Sequence, residues 1–483
     1  MDSQPPSWAA RLAIESGFHA IAASSRDVKL LCLQRFVRLY AYGASFLILA
    51  QFLSSMDFSD DQIGLFMTLT LLGDVVLSFV LTAVTDAVGR RRVLAVGALM
   101  LVLSGAVFAF VDNYWVLLLA SIVGVISPGG NEIGPFRAIE ESVLAQLTPQ
   151  DQRSDIFAWY TLFGTAGTAL GTLTCGWMVQ GLQSLDDWTD IAAYQAVFLV
   201  YAALGLVKCV INMMLSSAVE AEPLQHSHQE ADPESEAGLL PDEETRLLPD
   251  ADSGSCAEAE PTPTSSSAQR GKPSPPPPTL GQRARSLIPN ISPASRAILW
   301  RLLILFGMDS FGSGMASPSW LTYFFTTVHS LQPGTLGTLF LVTNLIATVS
   351  NLAALPLARR IGPLRTMVFT HLPSSVFLAA IPLPAPSSPA GTWTAMAFLA
   401  LRACTSNMDT APRQTFLAAA VLPAERTAVL GVVNIVKTLA QAGGIGSTGL
   451  FAERSLWVVA LGGAGLMKAS YDLFMLWMFV HLK

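Results

Sequence analysis

The sequence predicts an all-α membrane protein whose twelve transmembrane helices form two pseudo-symmetric bundles of six. Hydrophobic residues make up 52% of the 483-residue chain and charged residues only 13%, whereas a soluble domain carries about 25% charged residues. The apolar residues are grouped in blocks of about 20, the length that a helix needs to cross a bilayer. Six blocks precede a long polar segment and six follow it, which predicts the two bundles.

The blocks define the expected spans and domains. The twelve predicted spans are residues 30–53, 63–84, 93–111, 115–144, 156–180, 191–215, 298–328, 336–358, 367–383, 393–422, 427–451 and 456–480. Most connections between them are short, so we expect neighbouring helices to run antiparallel. The predicted organisation is a cytosolic N-terminal tail at 1–29, a first six-helix bundle at 30–215, a linker at 216–297 and a second six-helix bundle at 298–483.

The placement of arginine predicts the orientation in the membrane. Residues 90–92, all arginine, follow the second span, and Arg359 and Arg360 follow the eighth. Connections on the opposite side carry aspartates such as Asp57 and Asp112. Because basic connections stay in the cytosol, we expect both termini to be cytosolic. The chain is thus predicted to be a multi-pass protein of the plasma membrane or of a vacuolar or endosomal membrane.

The linker has the composition of a disordered segment. It is rich in acidic residues and proline and poor in aromatic residues, so it lacks the apolar surface needed to fold. Glu243 stands four residues before Leu247 and Leu248, an acidic dileucine arrangement of the type that sorting adaptors bind. Two interpretations remain open, a sorting signal and a plain tether between the bundles.

Four residues between the second and third spans match a known loop signature. They are Asp86, Gly89, Arg90 and Arg91. The signature belongs to the major facilitator superfamily, which this chain therefore resembles, although the chain departs from the signature at Thr82 and Ala87. The resemblance implies secondary transport by two six-helix bundles that rock around a site near mid-membrane.

The resemblance also implies a conformational role for this motif. In the superfamily the signature aspartate contacts helix ends of the other bundle and favours the outward-facing state. Asp86 is therefore expected near the start of the eleventh span, where the positive end of a helix dipole would attract its carboxylate. Arg90 is expected to bind Asp86 or another acidic residue across the boundary between the bundles.

Further stretches in both halves are similar to a group of fungal and microbial facilitator proteins. The stretches are residues 35–43, 69–74, 369–374 and 408–414. The halves also resemble each other, since Pro-Phe-Arg at 135–137 corresponds to Ala-Pro-Arg at 411–413. This resemblance implies the fold and transport, but it supplies no substrate.

Ionisable residues within the predicted spans are the candidate substrate and ion pathway, because a charge is costly to bury in a bilayer. They are Arg38, Asp74, Glu132, Arg137, Asp309, Arg402, Asp409 and Arg413. Each could instead have a structural role. Asp74 either carries a coupling proton or bonds to a neighbouring helix. Arg38 either binds an anionic substrate group or pairs with Asp74 or Glu140.

Sequence spacing predicts which of these charges pair within one helix. The predicted pairs are Asp409 with Arg413, Lys468 with Asp472, and Arg137 with Glu140. Glu132 lies beside glycines and is a candidate for recognising a cation or carrying a proton. Asp309 is also flanked by glycines, which suit a hinge or a close contact with a ligand.

These observations predict a secondary active transporter of a small solute. No nucleotide-binding loop is present, so an ion gradient is the expected energy source, and we expect the coupling ion to be the proton. We expect no enzymatic activity, no cofactor and no metal, because the sequence holds no nucleophile–base set and no metal-like spacing. The expected partners are the solute, H⁺ and the lipid bilayer. The rival interpretations are a receptor or scaffold that does not transport and a drug/proton efflux antiporter, whose Gly-Pro pattern is absent from the fifth span.

Overall fold

Every regular element in the described part of the chain is a helix. The computed structural model describes residues 18–124, 126, 135–220, 293–420 and 425–479. The α-helices of the first half are α1 (Phe18–Ala23), α2 (Arg26–Ser55), α3 (Asp60–Val88), α4 (Arg90–Phe110), α5 (Tyr114–Gly124), α6 (Pro135–Leu147), α7 (Arg153–Gln183) and α8 (Asp190–Met213). Those of the second half are α9 (Pro293–Met315), α10 (Pro318–Thr327), α11 (Pro333–Ile361), α12 (Pro363–Ala380), α13 (Pro389–Ala403), α14 (Thr410–Ala420), α15 (Arg426–Ala452) and α16 (Gly463–Phe479). A short 3-10 helix (Ser217–Val219) follows α8, and a π-helical turn (Val458–Gly462) precedes α16.

Helices lie within all twelve predicted spans in the described part of the chain. Span 298–328 is divided between α9 and α10, and span 393–422 between α13 and α14, whereas α5 and α6 lie in span 115–144 on either side of residues outside the described ranges. Seven described helical segments are individually long and apolar enough to cross a membrane. The all-α membrane fold predicted from the sequence is therefore correct.

The divisions have local causes. At the start of α10, Ser317 accepts a hydrogen bond from the backbone of Trp320, and Pro318 occupies the first turn, where a proline costs no helical hydrogen bond. Residues 404–409 form turns between α13 and α14. Irregular backbone at membrane depth is tolerated only where it is buried in protein or lines a cavity. These interruptions therefore indicate where a polar site can be built.

Some predictions concern residues outside the described ranges. They are the tail before Phe18, the sorting residues Glu243, Leu247 and Leu248, and the pathway candidate Glu132. The side chain of Asp86 also lies outside the described part of the chain. The structure does not bear on these residues, and what was predicted for them stays a prediction.

Glycines let α7 lie directly against α2. A Cβ atom at Gly167 would lie 2.4 Å from the carbonyl oxygen of Phe36, and one at Gly171 would lie 2.1 Å from that of Tyr40. Small residues spaced four apart allow two helix backbones to approach this closely. The contact fixes the wall that α2 and α7 present to the interior of the protein.

The two halves meet at one end of the helices. We call this the acidic end, because Asp60, Asp112 and Glu453 lie there, and we call the opposite end, with residues 90–92 and Arg359, the basic end. The Asp60 backbone N–H donates to Glu453 Oε2 at 2.9 Å. All hydrogen bonds between the halves that the structure describes lie in the half of the molecule nearer the acidic end.

Glycine pairs bring the two halves into backbone contact at the acidic end. A Cβ atom at Gly449 of α15 would lie 2.5 Å from the Asp60 carbonyl oxygen and 2.8 Å from Gly64 Cα. On the other side of the molecule, a Cβ at Gly176 would lie 2.2 Å from the carbonyl oxygen of Pro333. Because no side chain separates these helices, the acidic end is closed by direct helix–helix contact.

We expect Gly449→Ala to shift the protein away from the state with a closed acidic end. Overpacking at a tight contact costs about 1–3 kcal/mol, and this contact exists only while the end is closed. Cysteines introduced at the exposed residues Asp187 and Arg454, one in each half, can carry spin labels. The distances between the two labels should include a larger population of long values in Gly449→Ala than in the unsubstituted protein.

Gly431→Ala is the matched control, because it lies in the same helix and a Cβ there meets no atom within 4 Å. Identical distance distributions for the two variants would contradict the assignment of Gly449 to the closing contact.

Candidate functional site

A cavity with a volume of about 1000 Å³ lies between the two halves. Its walls include Arg35 and Tyr42 of α2, Thr161 of α7, and Asn434 and Lys437 of α15. Thr161 and Asn434 belong to the basic-end halves of their helices, so the cavity extends from mid-depth towards the basic end. Ligand pockets commonly measure about 300–1,000 Å³, and this volume suits a solute of sugar or nucleotide size.

A buried group of charged residues forms one wall of the cavity. We call it the Asp309 cluster, and its members are Asp309, His371, Asp409, Arg413, Lys468 and Asp472. These residues come from α9, α12, α14, α16 and the turn before α14. All except Asp472 line the cavity. The cluster therefore joins the helices of the second half at the surface that a solute would meet.

Asp309 is the centre of this cluster. Its Oδ1 accepts a hydrogen bond from Lys468 Nζ at 2.7 Å, and its Oδ2 accepts one from Arg413 Nη1 at 2.9 Å. The Arg413 guanidinium also bonds to Asp409, four residues earlier. The predicted pair of Asp409 and Arg413 is thus confirmed, and Asp309 extends it to a second helix.

His371 links Asp309 to a carboxylate behind the cavity wall. His371 Nδ1 lies 2.9 Å from Asp472 Oδ2, and His371 Nε2 lies 3.7 Å from Asp309 Oδ1. Ser375 Oγ donates to Asp472 Oδ2 at 3.3 Å. Asp472 has no exposed surface. The ring of Tyr471, the preceding residue, packs edge-on against the His371 ring, with 5.9 Å between the ring centres. A proton that reached His371 from the cavity would therefore meet Asp472 next.

The charges that touch within the cluster do not balance without a proton. Two carboxylates, Asp309 and Asp409, contact two cations, Arg413 and Lys468. The third carboxylate, Asp472, forms its only ion-pair contact among the described residues with His371, so its charge is compensated when a proton is shared between the carboxylate and the imidazole. A charge left uncompensated at this depth is costly, so the His371–Asp472 contact is the place in the cluster where an added proton is best accommodated.

Two further cations line the cavity without a carboxylate partner. Neither Arg402, in the last turn of α13, nor Lys437, in α15, has a carboxylate within 4 Å in the described ranges. Lys437 Nζ lies 5.9 Å from the centre of the Phe306 ring, which is at the outer limit of a cation–π contact. Arg402 and Lys437 thus add positive charge to the cavity beyond that of the cluster.

One group of charged residues in the first half is paired away from the cavity. Arg38 donates two hydrogen bonds to Glu140, both at 2.8 Å, and Tyr160 Oη donates a third to Glu140 at 2.6 Å. Of the two partners considered for Arg38, the structure has Glu140. Neither Arg38 nor Glu140 lines the cavity.

Two predicted intrahelical pairs are wrong. Arg137 bonds to Glu141 at 2.7 Å and not to Glu140, because the Glu140 carboxylate is directed towards α2. Lys468 bonds to Asp309 and not to Asp472, which is held by His371. In both cases a residue on another helix binds one member of the pair that sequence spacing predicted.

Asp74 lies apart from the cavity. It is 1% exposed in α3, and no described residue donates a hydrogen bond to either carboxylate oxygen. It does not line the cavity. Of the predicted pathway residues, the structure brings Asp309, Asp409 and Arg413 into contact. Arg137 and Arg402 line the same cavity, whereas Arg38 and Asp74 do not.

The basic motif contacts the chain that follows α8. Gly89 joins α3 to α4 with φ of 101°, a conformation that favours glycine. The backbone N–H groups of Arg90 and Arg91, at the start of α4, donate to Glu220 at 2.7 and 3.3 Å. The Arg90 side chain donates to Gln146 at 2.7 Å. Among the described residues, Arg90 is thus held by its own half and not by an acid of the other half.

Sequence reasoning missed His371 as a site residue. It is the only histidine within the twelve predicted spans, and an ionisable side chain at that depth is a functional candidate by default. That signal was sufficient to find it. Its partners could not have been found in this way, because Asp309 and Asp472 are remote from it in the sequence.

Comparison with known proteins agrees with this architecture. The profile of the Major Facilitator Superfamily matches residues 31–445. The chain is 36% identical over 465 residues to an uncharacterized membrane protein of Saccharomyces cerevisiae, YJR124C, with 96% of each protein covered. In fold it is similar to the nucleoside transporter NupG, with a TM-score of 0.62, 13% identity and coverage of 94% of this chain and 98% of that one.

A D-xylose–proton symporter has a similar fold as well, with a TM-score of 0.64, 12% identity and coverage of 93% of this chain and 96% of that chain. At such identities the likeness to solved structures shows the fold alone.

We expect Asp309→Asn to destabilise the protein by about 3–5 kcal/mol, because removing one partner of a buried ion pair leaves a charge uncompensated. Lys468 would lose the carboxylate to which it bonds. Thermal unfolding of the purified protein in detergent would measure the loss.

The matched control is Glu141→Gln, which breaks an exposed ion pair with Arg137 and is expected to cost less than about 1 kcal/mol. Equal losses for the two variants would show that the Asp309 cluster does not stabilise the second half.

Proposed function

The chain belongs to the Major Facilitator Superfamily, and from this premise we propose that it is a proton-coupled secondary transporter that moves a small solute by alternating access. The observation that carries the proposal is the Asp309 cluster in the wall of a cavity between two halves, whose described hydrogen bonds to each other all lie nearer the acidic end. Both the solute site and the proton site are then reached from the same side of the membrane.

The contacts between the halves support alternating access. The acidic end is closed by backbone contacts such as that between Gly64 and Gly449, and the cavity extends towards the basic end. If the basic end is cytosolic, as the distribution of arginine favours, this conformation faces inward. Transport then requires the contact at the acidic end to break while the basic end closes.

The His371–Asp472 contact supports a proton-binding step. Asp472 is fully buried behind the cavity wall, while His371 lines the cavity and contacts both Asp472 and Asp309. A proton gained here neutralises the third carboxylate of the cluster, and its loss restores the imbalance. Proton binding thus changes the charge of the wall that faces the solute, which is a direct means of coupling the two.

Asp74 is a second candidate for carrying the proton. Its buried carboxylate accepts no hydrogen bond from the described residues, so protonation would remove an uncompensated charge at that point. It lies outside the cavity, so it could act only through the packing of α3. Comparison of Asp74→Asn with Asp472→Asn separates the two sites.

The transport experiment uses the purified full chain in liposomes with an imposed pH gradient. The probes are D-xylose and uridine, chosen because similar folds occur in a D-xylose–proton symporter and a nucleoside transporter, together with their anionic derivatives xylonate and uridine 5′-monophosphate. Accumulation of a probe that collapses when a protonophore is added supports the proposal. Accumulation that is unchanged by the protonophore overturns the proposed coupling to protons. Binding of a probe without its movement across the membrane indicates a receptor.

We expect Asp472→Asn to uncouple transport while leaving exchange of the solute across the membrane intact. Asparagine retains a hydrogen bond to His371 but cannot take up the proton, and Asp472 does not line the cavity. Gradient-driven accumulation should fall about tenfold or more, within the usual range of coupling between two sites, whereas counterflow should persist. Asp187→Asn, at an exposed position, is the control, and unchanged accumulation in Asp472→Asn would refute the assignment.

The motif around Asp86 is proposed to stabilise one conformation. Its carboxylate is suited to the positive N-terminal end of a helix of the other half, and the start of α15 is the candidate. We expect Asp86→Asn to weaken transport and to shift the balance between inward-facing and outward-facing states, measured by labelling of cysteines introduced at the basic end. Unchanged transport and unchanged labelling would count against this role.

A further inference from the structure

The cavity carries a surplus of positive charge. Among the described residues that line it, six side chains are permanent cations and two are carboxylates, an excess of four positive charges. The cations are Arg35, Arg137, Arg402, Arg413, Lys437 and Lys468, and the carboxylates are Asp309 and Asp409. Such a surplus in a confined, poorly solvated space attracts anions and repels cations.

Only part of this surplus is neutralised by neighbours. Arg413 and Lys468 bond to Asp309, and Arg137 bonds to Glu141. Arg402 and Lys437 have no carboxylate within 4 Å among the described residues. Both are partly buried, so holding two such charges at membrane depth is costly. A bound anion would offset that cost.

We propose that the solute is a small organic anion, a carboxylate or a phosphate monoester, held by Arg402 and Lys437. The proposal rests on the transport function above and names its substrate class. A guanidinium matches the two oxygens of a carboxylate or phosphate with parallel hydrogen bonds, and an ammonium adds a compact charge. The two side chains thus supply complementary means of binding one anionic group.

The remaining lining residues suit a hydroxylated body attached to the anionic group. Ser406 and Asn407 follow α13 in the turn beyond Arg402, and Asn434 lies one helical turn before Lys437. Hydroxyl and amide groups both donate and accept hydrogen bonds. With about 1000 Å³ available, a sugar acid, a sugar phosphate or a nucleotide fits the space.

Anion binding at Lys437 also accounts for coupling to the proton. Lys437 faces the Asp309 cluster from α15 and adds its positive charge to those of Arg413 and Lys468 in compensating the carboxylates Asp309 and Asp409. An anion that binds Lys437 removes this compensation, and a proton at His371 and Asp472 then restores it. Reciprocity requires that a proton in the cluster strengthens anion binding in turn.

The test measures equilibrium binding without a membrane or gradient. The purified full chain in detergent is titrated with matched neutral and anionic probes, and the unfolding temperature is recorded. The neutral probes are D-xylose and uridine, and the anionic probes are xylonate, xylose 5-phosphate and uridine 5′-monophosphate. We expect stabilisation by anionic probes only. The xylonate and xylose 5-phosphate arms decide between a carboxylate and a phosphate.

The variants locate the site. Arg402→Gln and Lys437→Gln should each weaken binding of the stabilising anion about tenfold or more, which corresponds to about 1.4 kcal/mol. Arg365→Gln removes an exposed cation outside the cavity and should leave binding unchanged. Binding of xylonate should also tighten as the pH is lowered, because a proton gained by the Asp309 cluster adds positive charge to the cavity wall, and this dependence should disappear in Asp472→Asn.

Stabilisation by the neutral probes to the same extent overturns the proposal, as does an absence of stabilisation by every anionic probe or wild-type affinity in Arg402→Gln and Lys437→Gln. These results are independent of the transport assay. A failure here leaves proton-driven transport of a neutral solute standing, whereas a loss of coupling in liposomes leaves the binding result standing.

Discussion

The bonding of Asp309 is the interaction on which the second half of the protein depends. One carboxylate joins α9 to Arg413 of α14 and Lys468 of α16, and His371 brings α12 to the same point. A bilayer offers no water to these charges, so the helices must hold one another's ionised groups. The placement of Arg413 and Lys468 in the cavity wall follows from how this carboxylate is shared.

Both halves contain a buried group of charged residues, but the two groups differ in their relation to the cavity. In the first half Arg38, Glu140 and Tyr160 satisfy one another in a buried triad that the cavity does not reach. The charges of the second half form a larger group that the cavity does reach. In the described part of the chain, the carboxylates and the histidine that line the cavity all belong to the second half.

Much of the fold could be predicted from sequence, because a bilayer restricts structure to helices of a set length. The hydropathy blocks located all twelve spans, and glycine spacing in α7 indicated its close contact with α2. Charge pairing was harder to predict. Spacing of four residues identified Asp409 with Arg413 correctly but not Lys468 with Asp472, because Asp309 and His371 compete for those side chains from other helices. Sequence spacing can identify possible charge pairs only within one helix. Which pair forms depends also on charged residues that other helices bring close in the folded protein.

The backbone contacts at the acidic end have an electrical consequence. Where Gly64 meets Gly449 and Gly176 meets Pro333, the insulating layer across the protein is thin, and the membrane voltage falls mainly across it. A solution-filled cavity on the other side stays near the potential of its own compartment. Ions that enter the cavity therefore cross little of the voltage. Moving one charge through the full voltage is worth about 2.3 kcal/mol for each 100 mV. In the proposed transport cycle the voltage therefore acts on the change of conformation, when the thin layer moves to the opposite end of the helices and the field moves with it.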